Sequence, residues 1–539
     1  MLFIESNHAA IINAAVRLNF WGKRLQSVKL DCARTIIEEL DIKSISGEEL
    51  AKFLENNKPE KPKKERTEYV PTFSGSVETI EQQRQRLPIN CPVIITAAQQ
   101  DTAVNIEFLN ALQSLAFDLK AEIKVVPMKY NTNGFMGEKQ PELLHESVRE
   151  FAIISPDDEI QSVWYGNVAI HGANVLPTAK VPVNAAETLI GSASLSVLPH
   201  TRQQFKTLPR AKGAPARFAI TTGAVTYPRY VQNKRAGIEA EQEHVFGAVV
   251  LFPDGTFQQV EYKSGEMYFR GRVVSNTGLS GNYSDNLGLV LGDLHSEKID
   301  SVFFGKTISL ISDMQPRYIV CHDIFDFTSR NHHNIDSGRF LASQQFIGAS
   351  VAGDLEKVSA VLAALQITAP NAEIVIVNSN HDDALDRWLD SNKYNPKIDP
   401  VNAPIYYGLN HGIYTEILES GELKYPVVLE RALRFINAAI NFDSIRFLEL
   451  DESYLINGVE VGYHGHNGIN GARGSAGQYI KLGQSMVSGH THSLYKQGSV
   501  TVTGVTGSLD MGYNKGFSTW SQGHVIIEPN SSTQIIIPA

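Results

Sequence analysis

The stretch LGLVLGDLH, residues 287–295, runs from an apolar segment directly into the ligand-type side chains of Asp293 and His295. A short and nearly continuous apolar run is typical of a parallel strand that is buried on both faces. Asp293 and His295 therefore stand at the carboxyl end of a predicted strand, the edge where open α/β sheets bind their ligands. The stretch predicts an α/β fold with a functional site at that edge.

The same arrangement occurs in four later segments of the chain. Each runs from a predicted strand into a polar cluster: RYIVCHDIFD (317–326), AEIVIVNSNHD (372–382), VEVGYHGH (459–466) and SMVSGHTH (485–492). One such cluster alone says little, because short motifs often occur by chance. Five in succession predict a shared site. Its ligand types, His, Asp and Asn without Cys, suit Mn, Fe, Zn or Mg and outnumber what one ion needs.

In order and spacing, the five clusters resemble the signature of the calcineurin-like metallophosphoesterase family. That signature is Asp-x-His, Gly-Asp-x-x-Asp, Gly-Asn-His-Asp/Glu, an isolated His and Gly-His-x-His, matched here by GDLH, HDIFD, SNHD, YHGH and GHTH. The resemblance covers roughly residues 287–510. It implies a metallophosphoesterase-type α/β/β/α sandwich in the C-terminal half and two divalent metal ions. His322 and Ser379 stand where the family has glycine, and neither is a ligand position.

The resemblance also implies which side chains bind the ions. The first metal takes Asp293, His295 and His492, the bridging carboxylate is Asp323, and the second metal takes Asn380, His464 and His490. His464 is preferred over His466 because it directly follows the strand, and His466 stays open as the alternative. Manganese is the expected ion, because the family includes nucleases, but Mg²⁺, Fe²⁺ and Zn²⁺ also suit this ligand set.

Catalytic and substrate-binding roles follow from the same positions. His381 matches the catalytic histidine of the family, which contacts the scissile phosphate and protonates the leaving oxygen. Asp382, together with Asp326, is expected to orient histidines. The implied reaction is hydrolysis of a phosphate ester by a metal-bound hydroxide. Candidate substrate contacts are Arg330, His332 and Arg473. The alternatives are exposed loop residues for the first two and a structural ion pair for the third.

The composition divides the chain into four regions. Residues 1–57 predict short helices, one of which begins at a capping box of Ser46 and Glu49, and a helix-turn-helix is compatible with this pattern. Residues 58–75, rich in Lys and Pro, predict a linker. Residues 76–275 predict a further α/β domain with DNA binding as a candidate role, and residues 276–539 the catalytic domain. The clearest unit of the third region is PVIITAA, VNIEFLNALQSLAFDL and AEIKVVPM, a strand–helix–strand with parallel strands.

The charge of the protein is unevenly distributed. The formal net charge of −10 argues against general binding of polyanions, but residues 188–238 contain no Asp or Glu. The basic residues of this acid-free stretch are Arg202, Lys206, Arg210, Lys212, Arg217, Arg229, Lys234 and Arg235. The stretch predicts either a surface for a phosphate backbone or cations that pair with carboxylates elsewhere in the fold.

The composition also excludes several classes of protein. Cys32, Cys91 and Cys321 form no CxxC pair, so neither a disulfide framework nor a thiolate zinc site is indicated. No apolar run approaches the roughly 20 residues that span a bilayer, and the first residues lack the basic start of a secretory signal. We expect a cytoplasmic protein without a membrane partner, and a homo-oligomer, as is common for intracellular enzymes of this size.

Three segments outside the metal motifs bear on the substrate. TTGAVT (221–226), AGIEAEQEH (236–244) and RNHH (330–333) are similar to segments of large metallophosphoesterases from tailed phages. Some of those are early proteins implicated in degrading host DNA, so the resemblance implies a deoxyribonuclease acting in the host cytoplasm. The alternative is a protein or nucleotide phosphatase whose N-terminal half serves recognition or assembly. A metal-binding scaffold without activity is disfavoured, because every ligand position of the family is filled.

Overall fold

A computed structural model describes most of the chain. The described residues are 10–11, 14–15, 26–42, 45–56, 86–129, 144–153, 162–172, 175–185, 193–231, 235–275, 277–283, 285–330, 337–391, 394–397, 399–512 and 514–538. Their contacts divide the chain into two compact units, Met1–Glu81 and Gln82–Ala539.

The first unit contains the helices α1 (Gln26–Glu39) and α2 (Gly47–Asn56). The predicted capping box is confirmed: the Ser46 N–H donates to Glu49 Oε2 over 3.0 Å, and the Glu49 N–H donates to Ser46 Oγ over 3.3 Å. Apolar residues of both helices share a small core, among them Ala33, Ile36, Leu50, Ala51 and Leu54. The predicted linker, residues 58–75, lies outside the described residues, and a helix-turn-helix role for this unit stays a prediction.

The second unit is a mixed α/β structure, which confirms the predicted α/β class. Its described strands are β1 (Val93–Gln99), β2 (Glu122–Met128), β3 (Ser162–Tyr165), β4 (Val168–His171), β5 (Leu195–Leu198), β6 (Phe205–Leu208), β7 (Arg217–Thr221), β8 (Phe246–Leu251), β9 (Phe257–Lys263), β10 (Glu266–Phe269), β11 (Arg272–Ser275), β12 (Gly278–Tyr283), β13 (Gly288–Val290), β14 (Tyr318–Cys321), β15 (Glu373–Ile376), β16 (Ile445–Phe447), β17 (Leu455–Ile456), β18 (Val459–Glu460), β19 (Met486–Ser488), β20 (Tyr495–Gln497), β21 (Val500–Val502), β22 (His524–Ile527) and β23 (Thr533–Ile536). These strands form three sheets.

The helices of the second unit complete its layers. They are α3 (Ile106–Leu119), α4 (Glu146–Arg149), α5 (Arg235–Gln242), α6 (Ser301–Met314), α7 (Gly338–Phe346), α8 (Val351–Thr368), α9 (Ala384–Asp390), α10 (Ala403–Ser420), α11 (Val428–Phe435) and α12 (Ala476–Tyr479). Over the part of the chain that the structure describes, none of the helices combines the length and the apolar character that crossing a membrane requires.

The strand order of each sheet shows how distant parts of the chain meet. The seven-stranded sheet has the order β12-β11-β10-β9-β8-β1-β2, and the six-stranded sheet β16-β15-β14-β13-β22-β23. The ten-stranded sheet has the order β17-β18-β19-β21-β20-β6-β7-β5-β4-β3. The predicted strand–helix–strand unit is confirmed as β1, α3 and β2, and its two strands pair in parallel.

The six-stranded sheet is buried on both faces, because consecutive apolar side chains of its strands point to opposite faces. In β13 and the residue after it, Leu289 and Leu291 pack in the core formed with the helices, whereas Val290 packs in the core shared with the other sheets. In β14, Ile319 and Val320 divide in the same way. Successive side chains of a strand point to opposite faces, so a continuous apolar run can line two cores at once.

The expected boundary between residues 275 and 276 falls inside the second compact unit. The ten-stranded sheet joins strands from both sides of that boundary, because β20 pairs with β6 through Tyr495 opposite Lys206 and Lys496 opposite Phe205. The front α/β region and the region with the polar clusters therefore share a sheet and a core.

The topology brings the polar clusters together. β13, β14 and β15 are parallel neighbours, so the residues that follow them leave the six-stranded sheet at one edge. β18 and β19 are parallel in the ten-stranded sheet. The backbone N–H of His490 donates to Oδ2 of Asp293 over 2.8 Å and thereby joins the two sheet edges.

Candidate metal centre

Four buried side chains form the centre of the site. One ligand atom from each of Asp293, His295, Asp323 and His492 lies within 4.8 Å of the others. Nε2 of His492 is 3.2 Å from Oδ2 of Asp293 and 3.0 Å from Nε2 of His295. Two imidazole nitrogens and two carboxylates thus converge on one point, a donor set that suits a divalent cation.

Asp323 also contacts a second group of histidines. Its Oδ2 lies 3.2 Å from Nε2 of His464, whose ring centroid is 5.2 Å from that of His490. His466 lies farther out, with its ring 5.6 Å from that of His464, and it is only half-buried. Of the two histidines that the sequence left open, His464 is therefore the one against the central carboxylate. The position of Asp323 between the two groups is the position that a bridging ligand requires.

Many polar atoms of this site have no hydrogen-bond partner among the described residues. They include Asp293 Oδ1, Asp323 Oδ1, Asn380 Oδ1, His464 Nδ1 and His492 Nδ1, while Oδ2 of Asp323 and Nε2 of His464 have only each other, over 3.2 Å. Burying polar atoms without partners costs about 1–3 kcal/mol each, so native structures rarely collect them in one place. A bound cation would explain their convergence, and the residues fit such a group.

The charge of the site also calls for a cation. Burial, and then the charge of Asp323, raise the pKa of Asp293 well above its usual range. Burial lowers the pKa of His490 to about 4, so its imidazole is neutral at pH 7 and has a lone pair for a metal. Burial also lowers the pKa of His492, and two buried carboxylates beside these neutral imidazoles form a ready cation site.

The local backbone is strained to place these ligands. Four of the candidate ligands have left-handed φ values: His295 (46°), Asp323 (45°), His490 (71°) and His492 (56°). Residues other than glycine seldom adopt this conformation, and its clustering marks a functional site. Gly489 has a different constraint, since a Cβ there would lie 2.1 Å from Oδ1 of Asp293.

His381 lies beside the centre and is held by Asp326. Oδ1 of Asp326 is 2.7 Å from Nδ1 of His381 and 2.6 Å from Nδ1 of His295. Burial lowers the pKa of His381, but the charge of Asp323 and the contact with Asp326 outweigh burial and raise it to about 9. Asp326 therefore orients two histidines at once, the role expected of it from the sequence.

Asp382 has a different position from the one implied by the sequence. Its Oδ1 accepts from the Phe325 N–H over 2.8 Å, and its Oδ2 accepts from Ser379 Oγ over 2.8 Å. It therefore ties two site loops together instead of orienting a histidine. Ser379, which departs from the family pattern, supplies the hydroxyl for this link.

Three residues near the site were missed by the sequence analysis. Nζ of Lys298 lies 2.8 Å from Oδ2 of Asp326, and the Glu297 carboxylate accepts from the Asp326 N–H over 3.0 Å. The sequence signal that could have indicated Lys298 and Glu297 was their position just after the GDLH motif. The Trp520 ring packs edge-on against His492 with centroids 4.2 Å apart, and no local motif indicates this contact.

The three candidate substrate contacts have different surroundings. Arg330 makes a two-point ion pair with Asp399, over 2.7 and 2.5 Å. Its charge is thus engaged within the fold. His332 lies outside the described residues. Arg473 is exposed, and its backbone bridges to Asn467 in the loop that follows His466, so it stays a candidate for contact with substrate.

Much of the acid-free stretch is engaged within the fold. Arg202 pairs with Glu243 over 2.9 Å, and Lys212 pairs with Asp510 over 2.7 Å. Arg210 donates to the carbonyl oxygens of Ala214 and Trp520. These contacts correspond to the second reading of the stretch, in which its cations find partners elsewhere in the fold.

Comparison with known proteins identifies one informative relationship. No protein-family model matches the chain. The chain is 36% identical to "Protein A1" of Escherichia phage T5 over 571 aligned positions, which cover 99% of this chain and 98% of that protein. Among solved structures, it is similar to a single mutant of Vps29 from Entamoeba histolytica, with 13% identity, coverage of 33% of this chain and 96% of the other, and a TM-score of 0.19. A score of that size does not indicate a shared fold.

Proposed function

Because the chain belongs to the family of protein A1 from Escherichia phage T5 and holds a buried Asp/His centre, we propose that it is a two-metal phosphoesterase that hydrolyses DNA. Its fold is then the metallophosphoesterase type, with the six-stranded and ten-stranded sheets as the central layers and helices outside. The location of its action is the cytoplasm of the infected cell.

The observation that carries the proposal is the set of unpaired atoms around Asp323. Asp293, His295 and His492 would hold one ion, and Asn380, His464 and His490 a second, with Asp323 shared. Two such ions act as Lewis acids that lower the pKa of water and neutralise charge on a phosphate. Manganese is the proposed native ion.

The chain's own residues would position the substrate and move the proton. The Asp326 carboxylate holds Nδ1 of His381, so Nε2 of that ring is the atom left to contact a phosphate oxygen. His381 Nε2–H donates to the leaving oxygen as its bond to phosphorus breaks. Lys298 and Glu297 hold Asp326 from its other sides, which keeps the His381 ring in one orientation.

DNA as the substrate is supported by the relationship to a phage protein and by the chemistry of the site. Neutral imidazole ligands leave two bound dications incompletely neutralised, so the site would attract a phosphodiester although the whole chain carries a net charge of −10. A homo-oligomeric state is proposed as well, and light scattering of the purified protein tests it independently.

The first test is incubation of the purified protein with linear and circular duplex DNA, in Mn²⁺ or in EDTA. We expect Mn²⁺-dependent degradation that His381→Ala abolishes and that His411→Ala, a change at an exposed histidine of α10, leaves intact. Cleavage of the circular form identifies endonuclease action. If DNA survives while an aryl phosphate ester is hydrolysed, the substrate proposal is wrong and a protein or nucleotide phosphatase replaces it.

A further inference from the structure

The loop that contains residues 508–512 and 514–519 connects two positions, Gly507 and Trp520, that pack against the metal centre. At its start, Gly507 is packed so closely that a Cβ there would lie 3.2 Å from Cβ of His295. At its end, the Trp520 ring lies 4.2 Å from the ring of His492. The loop therefore begins against one candidate ligand and ends against another, which places it at the rim of the site.

The acid-free stretch holds this loop from outside. The backbones of Arg210 and Ser518 pair in both directions, over 3.0 and 2.9 Å, and Arg210 Nη2 donates to the Trp520 carbonyl oxygen over 3.1 Å. Lys212 pairs with Asp510, yet its side chain stays 57% exposed. Arg210 and Lys212 thus hold the loop in place, and the Lys212 side chain remains accessible to solvent beside it.

The loop presents an aromatic ring to solvent. Phe517 is 81% exposed, and Lys515, two residues before it, is also exposed. An apolar ring at this level of exposure contributes nothing to the core. Lys515 is two residues from this ring, and Lys212 pairs with Asp510 of the same loop. An exposed ring and exposed lysines on one loop match the aromatic-plus-cation pattern of single-stranded nucleic-acid binding.

We infer that Phe517 is a stacking platform for an unpaired nucleobase, with Lys212 and Lys515 beside the adjoining phosphates, so that the site receives single-stranded DNA. In a duplex each base face is covered by its neighbours, whereas an unpaired base offers a free face to an aromatic ring. The inference rests on the proposed function, since it names the form of DNA that enters the same site.

Binding measurements test the platform without depending on hydrolysis. The full chain in EDTA is titrated against two labelled oligonucleotides of equal length, one of thymidines and one with abasic sites throughout, and anisotropy gives each Kd. We expect Phe517→Ala to raise the Kd for the thymidine oligonucleotide about tenfold and to leave the abasic Kd unchanged. Phe517→Trp should retain binding. Phe346→Ala, at a ring that is 91% exposed on α7, is the matched control and should change neither Kd.

Two outcomes overturn the inference: an unchanged thymidine Kd in Phe517→Ala, or an equal loss for both oligonucleotides, which would indicate a structural effect. A nuclease assay in Mn²⁺ separates this failure from that of the proposed function. If binding depends on the bases through Phe517 but no DNA is hydrolysed, the proposed function is wrong and the stacking platform stands. If DNA is hydrolysed but the Kd for the thymidine oligonucleotide does not depend on Phe517, the stacking platform is wrong and the proposed function stands.

Discussion

Oδ1 of Asp326 lies 2.7 Å from Nδ1 of His381 and 2.6 Å from Nδ1 of His295. One carboxylate oxygen therefore sets the ring orientation of the proposed catalytic histidine and of a proposed metal ligand. Groups of this kind commonly change metal affinity or activity by one to two orders of magnitude when they are removed.

Replacing this shared carboxylate should impair catalysis without unfolding the protein. We expect Asp326→Asn to lower kcat for DNA hydrolysis roughly 10–100-fold, because the amide holds both imidazoles less strongly. Steady-state kinetics at saturating Mn²⁺ measures the effect. Asp390→Asn, at an exposed position that ends α9, is the control and should retain full activity. Undiminished kcat in Asp326→Asn would contradict the positioning role.

Metal binding should stabilise the folded protein through Asp323. A ligand present at about 100 times its Kd adds about 2.7 kcal/mol to the free energy of unfolding. We expect Mn²⁺ to raise the Tm of the wild type above its value in EDTA and to raise the Tm of Asp323→Ala far less. Scanning calorimetry, with metal analysis of the dialysed protein, checks this. Asp443→Asn, at an exposed position, is the control and should show the same rise in Tm as the wild type. An equal rise in the wild type and Asp323→Ala, or a reduced rise in Asp443→Asn, would contradict the site.

The buried Glu528 should make stability depend on pH. Burial raises its pKa from 4.5 to about 8, despite a backbone hydrogen bond from Gly271 that lowers it. Above pH 4.5 the unfolded state releases a proton that the folded state still holds. The contribution of this carboxyl to the free energy of unfolding is therefore full below pH 4.5 and is lost as the pH rises towards 8. Because Glu528→Gln cannot ionise, we expect its free energy of unfolding, compared with that of the wild type, to increase by on the order of a few kcal/mol from pH 5 to pH 8.

Urea unfolding at pH 5 and at pH 8 measures this difference. Glu419→Gln, at an exposed position of α10, provides the comparison and should follow the wild type at both values. Parallel stability curves for the wild type and Glu528→Gln would show that Glu528 is ionised in the folded state at both pH values.

Arg330 should contribute to the stability of the folded protein and little to the binding of DNA. Its guanidinium is held by Asp399, which also accepts hydrogen bonds from Asn402 Nδ2 and the Tyr406 hydroxyl. Arg330→Met leaves a buried carboxylate without its cation, so we expect a loss of roughly 2 kcal/mol, somewhat less than for a fully buried pair. The Kd for DNA should stay within about twofold. A weaker Kd at unchanged Tm would instead make Arg330 a substrate contact.

Local patterns in the sequence were enough to predict several elements of the fold. The strand β1, the helix α3 and the parallel strand β2 follow from apolar periodicity, and the start of α2 follows from Ser46 and Glu49. Such features depend on neighbours within a few residues, so the sequence contains the information directly. The polar clusters were placed after their strands for the same reason.

These local patterns could not predict contacts between residues that are far apart in the sequence. Arg330 meets Asp399 across 69 residues, and β20 pairs with β6 across nearly 300. Nothing in either segment specifies its partner, because the pairing depends on how whole sheets pack. The ten-stranded sheet likewise joins strands from both sides of residue 275, a pairing that no local pattern in either region indicates.

By itself, the sequence determined the α/β class, the strands and the ligand-type residues that end them, because hydrophobic period and residue chemistry are local properties. Only the tertiary structure decided that His464 lies against Asp323, that Asp326 serves two histidines, and that Trp520 covers His492. Those relationships are distances between segments far apart in the chain. They are set by the packing of sheets and loops in three dimensions, which no short stretch of residues encodes.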